Sequence, residues 1–180
     1  MINSELFAAL GIPTDYGQNP HRPVYTEARV LQDVEPNIVG RMQTLAPDTA
    51  RAWRALKSAA AADSVALLLV SGFRSVGYQT ELFRRKLASG QHIDAILAVN
   101  AAPGFSEHHT GRAVDIATPG SRPLTEEFEN SEAFAWLNDH AERFGFSMPY
   151  GRGNPFGFCY EPWHWSQLDG VAQLENASRP

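Results

Sequence analysis

The chain of 180 residues has a formal net charge of −5, 43% apolar and 19% charged residues, and a single cysteine. Such a chain fits one globular domain burying roughly 70% of its unfolded surface. The acidic balance and the absence of any Lys/Arg-rich run exclude nucleic acid and anionic membrane as the main partner. Cys159 stands alone, so the fold is expected not to rely on disulfides, and its aromatic neighbours predict buried packing.

Met1 to Leu10 lacks a basic segment, and Asn3 and Glu5 interrupt its apolar residues. No stretch approaches the roughly 20 apolar residues of a membrane-spanning helix. With Met1 as the native start, this predicts a cytoplasmic protein with no membrane insertion. The first thirty-odd residues are rich in Pro, Gly, Asn and Tyr and predict a short helix, then a surface arm. Ala50, Trp53, Leu56 and Ala60 recur at spacings of three and four, predicting a helix from Pro47 to Ala62 that Asp63-Ser64 breaks. Val65 to Val70 is a short apolar run and reads as a buried strand.

A second helix is expected from Val76 to Ala88, closed by Ser89-Gly90. Residues 91–104 read as a short helix and a loop. Arg112 to Ala117 alternates as a strand, with Ala113 and Asp115 on one face and Val114 and Ile116 on the other. Pro119 to Asn130 is a polar connection. Ser131 caps a third helix, striped by Phe134, Leu137 and Ala141 and ending near Gly145. Phe146 to Tyr150 and Phe158 to Ser166, around a Gly-rich turn at 151–157, predict an antiparallel hairpin. The tail after Gly170 shows no pattern. The fold class is α+β, a single domain of residues 1–180: an N-terminal arm with helices over 1–60, then a core over 65–168 with helices on a small, mainly antiparallel sheet.

Two segments carry chemistry: Ser106-Glu107-His108-His109-Thr110-Gly111-Arg112-Ala113-Val114-Asp115 and Glu161-Pro162-Trp163-His164-Trp165. Imidazole nitrogen and carboxylate oxygen both ligate Zn²⁺ at roughly 2.0–2.2 Å, and three protein ligands with a fourth place for water compose a catalytic site. A second carboxylate, Glu161, is what the attacking water needs as its base. Spacing leaves His108 and His109 in competition for one ligand role, with Gly111 permitting a sharp turn before Asp115. Pro162 biases Glu161 to extended or polyproline-II geometry, in which residues three apart face the same side. Each residue alone is ordinary: loop histidines are usually surface groups, and aromatics at 158, 160, 163 and 165 usually pack a core.

Taken together, S-x-H-x-x-G-x-A-x-D followed by E-P-W-H resembles the VanY-type zinc D-alanyl-D-alanine carboxypeptidases of the LAS metallopeptidases, a group that includes D-Ala-D-Ala dipeptidases and L,D-carboxypeptidases. Ser71-Gly72-Phe73-Arg74-Ser75 with Gln79 is similar to the family's S-G-[YF]-R-S…Q segment. The resemblance spans residues 71–165 and implies a Hedgehog/D-Ala-D-Ala peptidase-like fold. It implies one zinc ion held by His108, Asp115 and His164, with Glu161 as general base and then acid. By the same resemblance Arg74 contacts substrate and stabilises charge on the scissile carbonyl, Gln79 and Ser106 hold the terminal residue, and Trp163 lines the site. The chain departs at Met148-Pro149-Tyr150, where the family often has an arginine before its tyrosine. It departs again at Trp165-Ser166-Gln167, where Arg-Tyr often follows the histidine.

The expected substrate is a peptidoglycan peptide losing a C-terminal D-alanine. Without a signal segment, the L,D reaction on recycled tetrapeptides is favoured over the D,D reaction. A phage-type endopeptidase is the further enzymatic alternative, although no room remains after residue 170 for a wall-binding module. A zinc-binding module that has lost catalysis is the non-enzymatic alternative, against which the intact Glu161 argues. Another divalent metal could load the same donor set, since geometry and availability select the metal more than affinity does.

Overall fold

The computed structural model describes residues 4–167, so the pattern-free tail lies outside the described residues. After helix α1 (Ser4–Leu10) and a 3-10 turn at Tyr16–Gln18, the arm leads into a two-stranded antiparallel hairpin, β1 (Gln32–Pro36) and β2 (Met42–Leu45). Helix α2 (Pro47–Ala62) follows directly. Pro47 opens it in the first turn, where a missing N–H costs nothing. Thr49, Ala50, Trp53, Leu56 and Ala60 form its buried stripe. Leu56, fully buried, is worth roughly 2 kcal/mol relative to exposure. Ser64, at φ 65°, takes the chain out of the helix.

The main sheet has four antiparallel strands in the order β3-β4-β6-β5: β3 (Leu68–Ser71), β4 (Ala113–Ala117), β5 (Phe146–Ser147) and β6 (His164–Gln167). Between β3 and β4 lie α3 (Val76–Ala88), α4 (Ile93–Val99) and a 3-10 turn at Glu107–Thr110. Ser75 caps α3 by accepting the Tyr78 N–H at 2.9 Å. Helix α5 (Glu132–His140) precedes β5, and its cap Ser131 accepts the Phe134 N–H at 3.1 Å. Side chains alternate across the pleat. Val114, Ile116 and Trp165 enter a core cluster with Trp53 and Leu56 of α2 and Leu137 of α5, while Asp115 and His164 face the opposite side. A second cluster joins α1, α3 and α4 through Phe7, Phe83, Ile96 and Phe105. No helix among the described residues is long and apolar enough to cross a membrane.

The α+β class matches expectation, and several elements differ in detail. The β1–β2 hairpin replaces part of the expected arm. β3 begins at Leu68 rather than Val65. Every residue of β4 is buried, because the face bearing Ala113 and Asp115 is covered as well as the core face. The polar connection holds a 3-10 turn at Glu126–Asn130 that buries Phe128. Helix α5 yields to a 3-10 turn at Ala141–Phe144 before Gly145. The C-terminal strands do pair antiparallel, but residues 148–163 form a long loop instead of extending the hairpin. Cys159 lies in that loop and is exposed rather than packed, because no strand there turns it inward.

Candidate metal centre and peptidase site

Strand register builds the centre. Asp115 pairs with His164 across β4 and β6, so the two side chains leave the same face of the sheet. A slip of one residue would turn both toward the core. His108 comes from the 3-10 turn before β4, which ends at Gly111 with φ +68°. A Cβ on Gly111 would meet the Ala46 nitrogen at 2.8 Å, so this turn needs glycine for space as well as for backbone angle.

One donor atom each from His108, Asp115 and His164 lie within 4.8 Å of one another, and all three residues are buried. His108 Nδ1 donates to the Gly72 carbonyl at 2.7 Å, leaving Nε2 with its lone pair toward Asp115, 3.3 Å away. Burial and the charge of Arg74 pull the His108 pKa down to about 4, so the imidazole is neutral. His164 Nδ1 lies 3.1 Å from Asp115 Oδ1, and its Nε2 donates to Glu107 Oε2 at 2.9 Å. Burial disfavours charge on His164, but its hydrogen bonds to Asp115 and Glu107 outweigh that and push the pKa up to about 10. Burial also works against ionised Asp115, yet His108, His164 and Arg74 hold its carboxyl well below the usual range. Two buried imidazoles and a carboxylate, each oriented by a further hydrogen bond or charge, form a donor set suited to zinc.

Glu161 occupies the same cleft. The residue is 8% exposed, its carboxyl makes no hydrogen bond to a described residue, and burial raises its pKa to about 7. The expected polyproline-II geometry is replaced by a turn in which the His164 N–H donates to the Glu161 carbonyl at 3.0 Å. Proline at the second turn position favours this closure, which also brings residues three apart together. Arg74 reaches the centre from the chain beyond β3, its Nη2 3.9 Å from Asp115 Oδ2. Its Nε is buried without a partner.

The other expected residues fall at different depths. Ser106 lines the cleft beside His108, Tyr150, Glu161 and His164. Gln79 is buried behind it, its Nε2 donating to the carbonyl of Ala101, a cleft-lining residue, at 2.8 Å. Trp163 is partly buried and packs against the main core cluster. His109 stands outside the donor group. Its Nε2 accepts the Gly104 N–H at 3.1 Å, so Nδ1 carries the proton and donates to the Arg74 carbonyl at 2.6 Å. Both nitrogens are therefore used in holding backbone, Nε2 at Gly104 and Nδ1 at Arg74.

Three residues of this site have no role in the motif reading. Glu107 holds His164, and Tyr25 of the arm donates to Glu107 Oε1 at 3.2 Å. Tyr150 stacks on His164 with ring centroids 4.6 Å apart. A carboxylate next to a ligand histidine is a signal for Glu107, because ligating imidazoles use their second nitrogen on such a partner. No signal in the sequence links Tyr25 to a residue so far along the chain.

Fold and centre together define a small α+β scaffold with a His-Asp-His metal-binding group and a buried carboxylate beside it. The chain belongs to the D-alanyl-D-alanine carboxypeptidase family, VanY, whose match covers residues 42–169. It is 33% identical over 120 residues to a D-alanyl-D-alanine carboxypeptidase of Enterococcus faecalis, covering 61% of this chain and 43% of that one. The structure superposes on the LD-carboxypeptidase LdcB with TM-score 0.72 and 28% identity, covering 86% of this chain and 77% of the other. It superposes on the vancomycin-resistance D,D-pentapeptidase VanY, solved in complex with Zn(II), with TM-score 0.63 and 26% identity, covering 86% and 93%. The chain spans 43% to 65% of the length of the curated relatives it matches.

Proposed function

We propose that the protein is a zinc-dependent carboxypeptidase releasing a C-terminal D-alanine from peptidoglycan-derived peptides. The observation that carries this reading is the pairing of Asp115 with His164 in register, with Glu161 tied to His164 through one turn. Zinc, when bound by His108, Asp115 and His164, supplies a Lewis acid that acidifies water and polarises a carbonyl. Glu161, buried and without a hydrogen-bond partner, is the base that takes a proton from the attacking water and returns it to the departing amine. The Arg74 guanidinium offers positive charge where the scissile carbonyl gains negative charge. Ser106 is placed to hold the terminal residue, and Gln79 supports the Ala101 backbone behind it. His109 keeps the Arg74 backbone in position.

The cleft among Ser106, His108, Tyr150, Glu161 and His164 is narrow, and on that ground we favour an exopeptidase over an endopeptidase. Between the two specificities we favour the L,D reaction, tetrapeptide to tripeptide, as in recycling of wall fragments. What supports this reading is the likeness to the LD-carboxypeptidase LdcB. The D,D reaction is the second reading, supported by the 33% identity to the Enterococcus enzyme. Incubation of zinc-loaded protein with matched tetrapeptide and pentapeptide, with free D-alanine measured, separates them. Release from tetrapeptide is expected, and release from pentapeptide alone overturns the L,D choice. Glu161→Gln should retain zinc while losing about 10²–10⁴-fold in kcat, and an unchanged kcat removes Glu161 from the reaction.

A further inference from the structure

The cleft opens past Arg74 and Asn100, which line both it and a groove of about 500 Å³ running toward the β1–β2 hairpin. That groove is large enough for a peptide, whereas the cleft is not. Its charge is unusual for a chain of net charge −5. Arg41 from the hairpin, Arg74, and Lys86 from α3 all line it, and the only acidic lining residue is Asp115, which faces His108 and His164. Neither Arg41 nor Lys86 forms an ion pair among the described residues, and Arg74 Nε is buried without a partner. Burial, and after it the charge of Arg74, lowers the Lys86 pKa, so these two cations lie near one another in the groove. Met42, Tyr78 and Leu124 expose apolar surface along the same walls.

We propose that this groove is the acyl-side subsite, and that Arg41 and Lys86 select peptides carrying a carboxylate upstream of the scissile bond. The inference rests on the carboxypeptidase reading for its direction, since the small cleft takes the departing residue and the groove takes the remaining chain. An upstream carboxylate would give Arg41 and Lys86 the counterion that neither has among the described residues. The apolar walls would cover the aliphatic parts of the peptide.

Two peptides with the same C-terminal D-alanine, differing only in a glutamyl or glutaminyl residue upstream, test this with zinc-loaded protein. The acidic peptide should have a kcat/KM about tenfold higher at low salt, from two partly exposed ion pairs. Added salt should shrink that ratio in the native protein. The R41Q/K86Q double variant, checked for zinc content and Tm, should bring the ratio close to one. Equal kcat/KM values in the native protein, or an unaltered ratio in the double variant, overturn the proposal. Fluorescence polarisation of the labelled peptides on zinc-loaded Glu161→Gln protein gives the same comparison without turnover. If neither peptide is cleaved by native protein, the carboxypeptidase reading fails, while the binding ratio still decides the groove.

Discussion

The two ends of the site are built in opposite ways. At the metal end, each ligand has a second partner: His108 the Gly72 carbonyl, His164 the Glu107 carboxylate, and Asp115 the imidazoles with Arg74 nearby. At the groove end, Arg41 and Lys86 have no ion-pair partner among the described residues, and apolar side chains are exposed. The first is a preorganised arrangement whose three donor side chains are each held inside the protein. The second leaves interactions for an incoming molecule to complete. Holding a cation demands fixed geometry, whereas accepting variable peptides demands surface that is free to make contacts.

The contrast breaks most sharply at Glu107. Replacing it with alanine removes the acceptor for His164 Nε2–H and should weaken zinc binding about 10–100-fold. Competition with a chromophoric chelator measures this, and glutamine, which retains an acceptor oxygen, should recover part of the loss. An unchanged affinity for Glu107→Ala would mean that the metal end needs no such support. Gly111→Ala tests the seam between the metal end and the N-terminal region. A methyl group there meets the Ala46 nitrogen and lies 3.1 Å from Leu31 Cδ2, at a left-handed φ. The variant should lose about 1–3 kcal/mol of stability in urea unfolding.

The smallest effect concerns Glu161, between the two ends. Burial raises its pKa to about 7, and a bound cation pulls that value down, so the acid limb of the kcat/KM profile should fall at or below pH 7. The base works ionised, so the rate drops as pH decreases through that limb. A profile flat from pH 8 to pH 4 would show that another group takes the proton.

How much was legible from sequence follows the same division. Helices α2 and α3 are marked by Pro47, Ser75 and the spacing of their apolar residues, all local signals. His108, Asp115, His164 and Glu161 are marked by motif, and the structure gathers them in one cleft. The β1–β2 hairpin was hidden because Gln32–Pro36 is largely exposed and its pairing with Met42–Leu45 shifts register, so no clean alternation survives. Tyr25 was hidden because its link to Glu107 exists only through the tertiary path of the arm. The turn at Glu161–His164 was misread because an X-Pro pair fits both an extended segment and the entry to a turn.

That turn has a consequence for how this scaffold can diversify. Its carbonyl at Glu161 ties to His164, and its N–H at Glu161 donates to the Tyr150 carbonyl at 3.0 Å, closing residues 151–160 into a loop pinched at its neck. Glu161 and His164 are therefore held as one piece at the start of the inner strand β6. Insertions, deletions or replacements inside the pinched loop can reshape the entrance, through Phe158 for instance, without changing the spacing between base and metal. The entrance can drift while the donor group and Glu161 stay in place.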